Sequence, residues 1–229
     1  MKGLIDAQEM YLRTILEIEE EGARPLRARL AERLGQAGPT VAGTVARMER
    51  AGLVRIEDDR HLELTRKGRS LAVRVMRKHR LPECLLVHVI GMDPGEVHEE
   101  ACRWEHVISE TVERRLLEIL GHPTHSPYGN PIPGLDELGD GPTVPAEALI
   151  QPLHQVTGAE VEVLVHRIDE PLQADHDLMR DLWRARIRPG EIVACRPDSG
   201  RVLVGRSGET IELGAELAAH IHVEVMAER

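Results

Sequence analysis

Aromatic residues are nearly absent from this sequence: phenylalanine does not occur, and the 229 residues include only two tryptophans and two tyrosines. Aliphatic side chains must therefore fill the core, and a chain of this length can bury enough of them for two or three small domains. No apolar run approaches the roughly 18 residues that span a membrane, and the amino terminus lacks the apolar region of a signal peptide. These absences predict a cytoplasmic protein with no membrane partner.

Cysteine is also scarce. Cys84, Cys102 and Cys195 are far apart in the sequence, and three cysteines cannot all pair with one another. A disulfide scaffold is therefore not expected, in agreement with a reducing compartment.

Positive charge is sparse overall, because the formal net charge is −10. It is concentrated, however, between Gly22 and Val73, where 11 lysines and arginines stand against 6 acids, a local balance of +5. Charges farther away than a Debye length are screened, so an acidic protein with one basic module can still bind phosphates. The distribution predicts a nucleic-acid contact in the first third of the chain.

The order of elements in that third is typical of a winged helix-turn-helix. Apolar residues recur with helical spacing over 4–20 and 26–34, and Gly38-Pro39 begins a third helix over 40–51. Alternating residues then predict two short strands, 52–56 and 61–65, around a polar turn. The third helix leaves a short, polar face that can enter the major groove, while arginines around it suit phosphate contacts. The predicted DNA contacts are Arg27, Pro39, Thr40, Thr44, Arg47, Arg50 and Arg60.

Four potential metal ligands follow one another at helical spacing. His98, Cys102, Glu105 and His106 lie at i, i+4, i+7 and i+8, so they share one face if the segment is helical. Two imidazoles, a thiolate and a carboxylate suit a first-row transition metal better than magnesium or calcium. A second pair, His79 and Glu83, lies at i, i+4 on a long predicted helix over 66–90. The pattern predicts a metal-responsive protein.

Two features make this metal pattern ambiguous. Pro82, next to Glu83, is expected to kink the long helix and to shift Glu83 relative to His79. The run from His98 to Cys102 is also one substitution away from His-Glu-x-x-His, in which two histidines hold zinc and the glutamate activates water. A zinc hydrolase with Glu99 as the base therefore remains an alternative.

The carboxy-terminal part differs in character. Residues 121–145 are rich in glycine and proline and predict a linker. Beyond them, five short alternating segments separated by glycine turns predict strands, with a helix over 175–186 among them. Short strands at this spacing indicate a small β-barrel.

These residues together resemble the iron-dependent repressors typified by the diphtheria toxin repressor. The resemblance runs along the whole chain and is strongest over 9–14, 75–81, 100–106 and 129–139. It implies a mainly α fold with a small β domain. The implied domains are a winged helix-turn-helix over 1–73, a helical dimerisation and metal domain over 74–140, a linker over 141–150 and an SH3-like barrel over 151–229.

The resemblance also implies the site residues. The implied primary metal ligands are Met10, Cys102, Glu105 and His106. The implied ancillary ligands are His79, Glu83, His98, Glu170 and Gln173. A family anion site matches Arg80, Ser126 and Asn130.

The implied function is ferrous-iron-dependent repression of iron-homeostasis genes by a homodimer on a pseudo-palindromic double-stranded DNA operator. Manganese-sensing relatives carry the harder Asp and Glu where this chain has Met10 and Cys102, so the softer pair favours Fe²⁺. Mn²⁺, Co²⁺, Ni²⁺ and Zn²⁺ are expected to substitute in vitro. A manganese- or zinc-responsive regulator on the same scaffold is the second alternative.

Overall fold

The computed structural model describes residues 2–139, 141, 150–206 and 208–226, with side chains from residue 7 onward. Helices make up most of the first 120 residues, and six of the eight described strands lie within residues 150–225. The helices are α1 (Lys2–Glu20), α2 (Arg27–Arg33), α3 (Gly38–Arg50), α4 (Arg66–Leu85), α5 (Pro94–Trp104), α6 (Glu110–Leu120), α7 (Glu170–Gln173), α8 (His176–Arg184) and α9 (Ala215–Ala218). The strands are β1 (Val54–Ile56), β2 (Leu62–Leu64), β3 (Ile150–Pro152), β4 (Val161–Ile168), β5 (Ile192–Asp198), β6 (Arg201–Arg206), β7 (Glu209–Gly214) and β8 (Ile221–Val225).

The amino-terminal unit is a winged helix-turn-helix, as predicted. Helices α2 and α3 follow α1, and β1 pairs antiparallel with β2, with Val54 opposite Leu64. The apolar faces of α1 and α3 meet in one core, to which Ile15 and Val45 contribute. Pro39 lies in the first turn of α3, where its missing N–H removes no intrahelical hydrogen bond. The opposite face of α3 remains open for a ligand.

The carboxy-terminal unit is a small antiparallel β domain. Its six described strands hydrogen-bond in the order β3–β8–β4–β5–β6–β7. Five of these strands were predicted, whereas β3 was missed because it is only three residues long and ends in Pro152. The mainly α fold with a small β domain is confirmed.

The glycine- and proline-rich stretch departs from its prediction as a linker. Tyr128 is fully buried, and its hydroxyl donates a hydrogen bond to the Pro94 carbonyl at 2.7 Å. Gly129 has φ +83° and packs so closely on β4 that a Cβ atom would lie 1.9 Å from the His166 carbonyl oxygen. Here glycine provides tight turns and a close approach, so this part of the linker prediction was wrong. Residues 142–149, most of the linker predicted over 141–150, lie outside the described residues.

The β domain packs against α5, the helix that carries predicted metal ligands. Val97 and Ala101 of α5 belong to the same buried cluster as Met179 and Leu182 of α8. This packing brings α7, at the edge of the β domain, beside α5. Among the helices that the structure describes, none is both long and apolar enough to cross a bilayer.

Candidate metal centre and DNA-binding surface

Helix α5 presents the predicted ligand face. The Asp93 side chain caps its first turn by accepting a hydrogen bond from the Gly95 N–H, and Pro94 follows in the first turn. His98 and Cys102 lie on the helix, one turn apart, and Glu105 and His106 follow directly after its last residue. His98 and Glu105 are buried, whereas Cys102 and His106 are half-buried. All four side chains therefore remain on one side of the element.

Helix α4 carries the second predicted pair. It continues through Pro82 to Leu85, and His79 Nε2 lies 3.0 Å from Glu83 Oε1. Both side chains are almost completely buried. Pro82 therefore does not separate the pair, because both residues still point to the same side of the helix.

Two residues from each predicted ligand set meet in a single cluster. His79 Nε2 is 3.2 Å from His98 Nδ1, and His98 Nε2 is 3.6 Å from Cys102 Sγ. On the other edge of its ring, His79 Nδ1 is 2.8 Å from Glu105 Oε2. The potential ligand atoms of His79, His98 and Cys102 all lie within 4.8 Å of one another. We call these four residues, His79, His98, Cys102 and Glu105, the ligand cluster.

Arg13 of α1 contacts the ligand cluster, although it was not among the residues predicted from the sequence. Its Nη1 atom is 2.6 Å from Glu105 Oε2, 2.7 Å from His79 Nδ1 and 3.3 Å from Cys102 Sγ. One turn farther along α1, Glu17 Oε1 lies 3.0 Å from Arg13 Nε. Both charged side chains are buried. The available signal was the i, i+4, i+7 spacing of Arg13, Glu17 and Glu20, which puts charges on one helix face.

The neighbouring charges determine how the cluster ionises. Burial raises the pKa of the Cys102 thiol, but the Arg13 charge and hydrogen bonds with His79 and His98 lower it to about 4. The pKa of Glu105 is also lowered, because Arg13 and His79 outweigh its burial. Cys102 is therefore a thiolate at neutral pH, the form that binds metals.

His79 shifts in the opposite direction. Burial and the Arg13 charge lower its pKa, but Glu83, Cys102 and Glu105 together raise it well above its usual value. A metal that used His79 would have to displace its proton. The ring can supply a lone pair only after that proton leaves.

Met10 lies on α1, next to a residue that contacts the end of α5. It is half-buried on α1, and the neighbouring Glu9 accepts a hydrogen bond from His106 Nδ1 at 2.7 Å. His106 Nε2 lies 3.4 Å from Glu105 Oε1. The first helix and the end of α5 are therefore already in polar contact at the predicted primary site.

The predicted ligands of the β domain lie nearby with different partners. Arg80 donates hydrogen bonds to Glu170 at 2.6 and 2.9 Å and to Glu20 at 2.5 Å. Gln173 donates from Nε2 to the Ile168 carbonyl, while its Oε1 atom is buried and accepts no hydrogen bond from the described residues. Glu170 neutralises an arginine in this arrangement, so its role as an ancillary ligand stays a prediction.

The predicted anion site is occupied by groups of the protein itself. The partners of Arg80 include the carboxylates of Glu20 and Glu170. The Ser126 hydroxyl accepts a hydrogen bond from the Tyr128 N–H, and Asn130 donates one to the Ile168 carbonyl. An external anion at this place stays a prediction.

The donor atoms fit a divalent transition metal. A thiolate, two imidazoles and a carboxylate form the set that first-row ions such as Fe²⁺ and Zn²⁺ accept, and magnesium and calcium prefer oxygen alone. The unpartnered Gln173 Oε1 adds a buried acceptor at the edge of the β domain. Buried acceptors are normally satisfied, so this atom is consistent with a ligand role.

The hydrolase alternative requires Glu99 beside the ligand cluster. Glu99 is instead an exposed residue of α5 whose carboxylate pairs with Arg103, one turn along the helix. His176 of α8 lies 3.6 Å from the same carboxylate. A base for metal-bound water would have to reach the metal, whereas the Glu99 carboxylate is exposed and paired with Arg103.

The predicted DNA contacts mostly lie on one accessible surface. Pro39, Thr40, Arg47 and Arg50 are exposed on α3. Arg60 is exposed at the tip of the wing and Arg27 is half-exposed on α2. Thr44 differs because it is buried, and its hydroxyl accepts a hydrogen bond from Arg47 Nη2 at 2.8 Å. Thr44 thus orients Arg47 in this arrangement.

Comparisons with known proteins agree with this architecture. The chain matches the family models of the iron-dependent repressor N-terminal DNA-binding domain over 3–62, the iron-dependent repressor metal-binding and dimerisation domain over 65–134, and the diphtheria toxin repressor SH3 domain over 153–225. It is 54% identical to the iron-dependent repressor IdeR of Mycobacterium tuberculosis over 98% of this chain and 99% of that protein. It is 50% identical to the diphtheria toxin repressor of Corynebacterium diphtheriae over 98% and 99% of the two chains.

Solved structures with this fold include other metal-dependent regulators. A manganese-dependent transcriptional repressor in complex with manganese superposes with a TM-score of 0.80 at 28% identity, over 96% of this chain and 100% of that one. An IdeR structure from T. acidophilum gives a TM-score of 0.74 at 25% identity, over 95% and 97% of the two chains.

Proposed function

The chain belongs to the iron-dependent repressor family and is a metal-dependent transcriptional repressor, and we propose that ferrous iron is the metal that activates it. The observation that carries this proposal is the ligand cluster, in which the Cys102 thiolate faces two imidazoles and a carboxylate. Thiolate and thioether ligands are soft and favour Fe²⁺ over Mn²⁺. The half-buried Met10 thioether would be the second soft donor, and the adjacent residue Glu9 contacts His106 at 2.7 Å.

Activation is proposed to depend on the link between α1 and α5. Met10 belongs to the winged helix unit, and Cys102, Glu105 and His106 belong to the helical unit. A metal held by both would supply bonds that fix α1 against α5. The residues of α1 would then hold α3 at one position relative to the helical core. The protein would shift towards this DNA-competent arrangement to the extent that the metal binds it more tightly than it binds the arrangements that cannot bind DNA.

A second copy of the chain is proposed as the partner of the helical unit. Five large hydrophobic residues of the helical region remain strongly exposed in the single chain: Val89, Ile90, Val107, Val112 and Ile119. Exposed apolar groups of this size mark interaction surfaces when they form a patch. A homodimer would place two α3 helices for half-sites spaced by whole turns of B-DNA, which favours a pseudo-palindromic operator.

The test is a mobility-shift and footprinting assay on promoter DNA from the source genome under anaerobic conditions. We expect a discrete protected site with ferrous iron and none after chelation. A parallel titration with manganese and zinc distinguishes an iron regulator from the manganese- or zinc-responsive alternative. Equal binding by metal-stripped and metal-loaded protein would refute a metal-controlled repressor.

Replacement of Arg47 tests the proposed DNA surface. The R47A variant is expected to lose affinity for specific and random DNA by a similar factor, because an exposed arginine on α3 suits a phosphate contact. The slope of log affinity against log salt should fall by about one. R201A, on the exposed surface of the β domain, is the matched control and should bind like wild type. A loss confined to specific DNA would assign Arg47 to base recognition instead.

A further inference from the structure

We infer that Arg13 competes with the metal for the ligand cluster, and that its guanidinium must withdraw towards Glu17 before the cluster can bind an ion. This inference rests on the proposed metal dependence. It adds a residue that sets the metal concentration at which the cluster is filled. Arg13 therefore acts on metal affinity without being a ligand, because a guanidinium has no lone pair to offer.

The geometry of one nitrogen atom carries the argument. Arg13 Nη1 contacts Glu105 Oε2, His79 Nδ1 and Cys102 Sγ at 2.6, 2.7 and 3.3 Å. A transition metal bound by any of these atoms would lie about 2.0–2.3 Å from it. The guanidinium nitrogen and a metal ion would therefore need nearly the same space. Occupancy by one excludes the other.

Burial makes this competition strong. Arg13 is 7% exposed, Glu105 is 2% exposed, and His79 is completely buried. Charges at such separations attract one another strongly, because the effective dielectric constant of a buried site is far below that of water. Water cannot easily replace the lost partners of either ion. A metal can consequently bind Glu105 and Cys102 only if it displaces the buried guanidinium from them.

Glu17 provides the position to which Arg13 can withdraw. Its Oε1 atom lies 3.0 Å from Arg13 Nε, and its carboxylate is also buried. The two residues are one turn apart on α1, so a side-chain rotation can move the guanidinium without moving the helix. The charge of Arg13 then remains paired after it leaves Cys102 and Glu105. Glu17 should therefore favour metal binding although it need not touch the metal.

The experiment is a cobalt titration of full-length, metal-stripped protein, followed by the sulfur-to-cobalt charge-transfer absorption of Cys102. It is carried out at pH 8, where protons compete only weakly for the thiolate. R13M removes the charge but keeps an unbranched side chain, and we expect it to bind cobalt about tenfold more tightly or better. R13K retains the positive charge and should bind within about threefold of wild type. R33M, which removes a comparable half-buried pair with Glu21 outside the cluster, is the control.

The E17Q variant tests the same mechanism, and it is expected to change cobalt affinity in the opposite direction to R13M. Without the Glu17 charge, the guanidinium should remain on Cys102 and Glu105, so cobalt affinity should fall several-fold. This variant retains the size of the side chain and keeps the inference testable if R13M does not fold. Unchanged or weaker cobalt binding by folded R13M, or unchanged binding by E17Q, would overturn the role of Arg13. Absence of the charge-transfer absorption in wild type would instead refute the metal centre itself.

Discussion

The C102A variant is expected to lose metal-dependent DNA binding almost completely. The Cys102 thiolate is the softest donor of the ligand cluster, and the surrounding charges hold its pKa at about 4, so it is ready to bind at neutral pH. Even substitutions beyond the direct ligands commonly reduce metal affinity 10- to 100-fold, so loss of this ligand should reduce it by more than about 100-fold. Anaerobic mobility shifts with increasing ferrous iron, together with direct metal titration, measure the effect.

The matched control is C195A. Cys195 is a fully buried thiol on β5, inside the β domain, where burial alone raises its pKa to about 11. Its removal creates a small cavity but takes no ligand from the cluster, so iron-dependent DNA binding should persist. Wild-type binding by C102A would contradict the proposed link between α1 and α5 through this thiolate.

The E113A variant is expected to lose a large part of its free energy of unfolding. Arg77 Nε donates to Glu113 Oε1 at 2.7 Å, and the two side chains are 2% and 0% exposed. Removing one partner of a buried ion pair leaves the other charge uncompensated, at a cost of about 3–5 kcal/mol. Glu137 still contacts Arg77 at 3.1 Å, but its side chain is 32% exposed, so the cost should lie near the lower end of that range. Thermal and denaturant unfolding monitored by circular dichroism measure the loss.

E110A is the control from the same helix. Glu110 pairs with Arg114 at 2.7 Å, but both side chains are largely exposed. Water screens exposed pairs of this kind, so they contribute little to stability and E110A should unfold close to wild type. Similar destabilisation by E110A and E113A would show that the buried position of the Arg77–Glu113 pair is not what matters.

The ligand face of α5 was predictable because its signal is local. Residues four apart lie on one side of a helix whatever the rest of the chain does, so His98 and Cys102 could be placed together from their spacing alone. The winged helix-turn-helix was predictable for the same reason, since apolar periodicity and Gly-Pro boundaries mark its elements. The resemblance to iron-dependent repressors then supplied Met10, Glu170 and Gln173, which no local pattern indicates.

Local spacing places Arg13 on one helix face with Glu17 and Glu20, but it could not show what that face contacts. It contacts His79, Cys102 and Glu105, which are 66, 89 and 92 residues away. A charged residue on an amphipathic helix is usually solvated, and only the packing of α1 against α4 and α5 turns it inward. The pairing of Glu170 with Arg80, 90 residues away, likewise depends on packing between distant segments and could not be read from local spacing.

The sequence by itself determined most of the helices and strands, the position of the proposed DNA-reading helix, and which side chains can bind a transition metal. The helices and strands follow from apolar residues that recur every 3.6 or every 2 residues, and the metal preference follows from the chemistry of the ligand atoms. The tertiary structure alone decided that residues from both predicted ligand sets form one cluster, that an arginine contacts it, and that the glycine-rich stretch after α6 is packed rather than free. Those outcomes depend on contacts between distant segments, whose geometry is set by the common core and not by neighbouring residues.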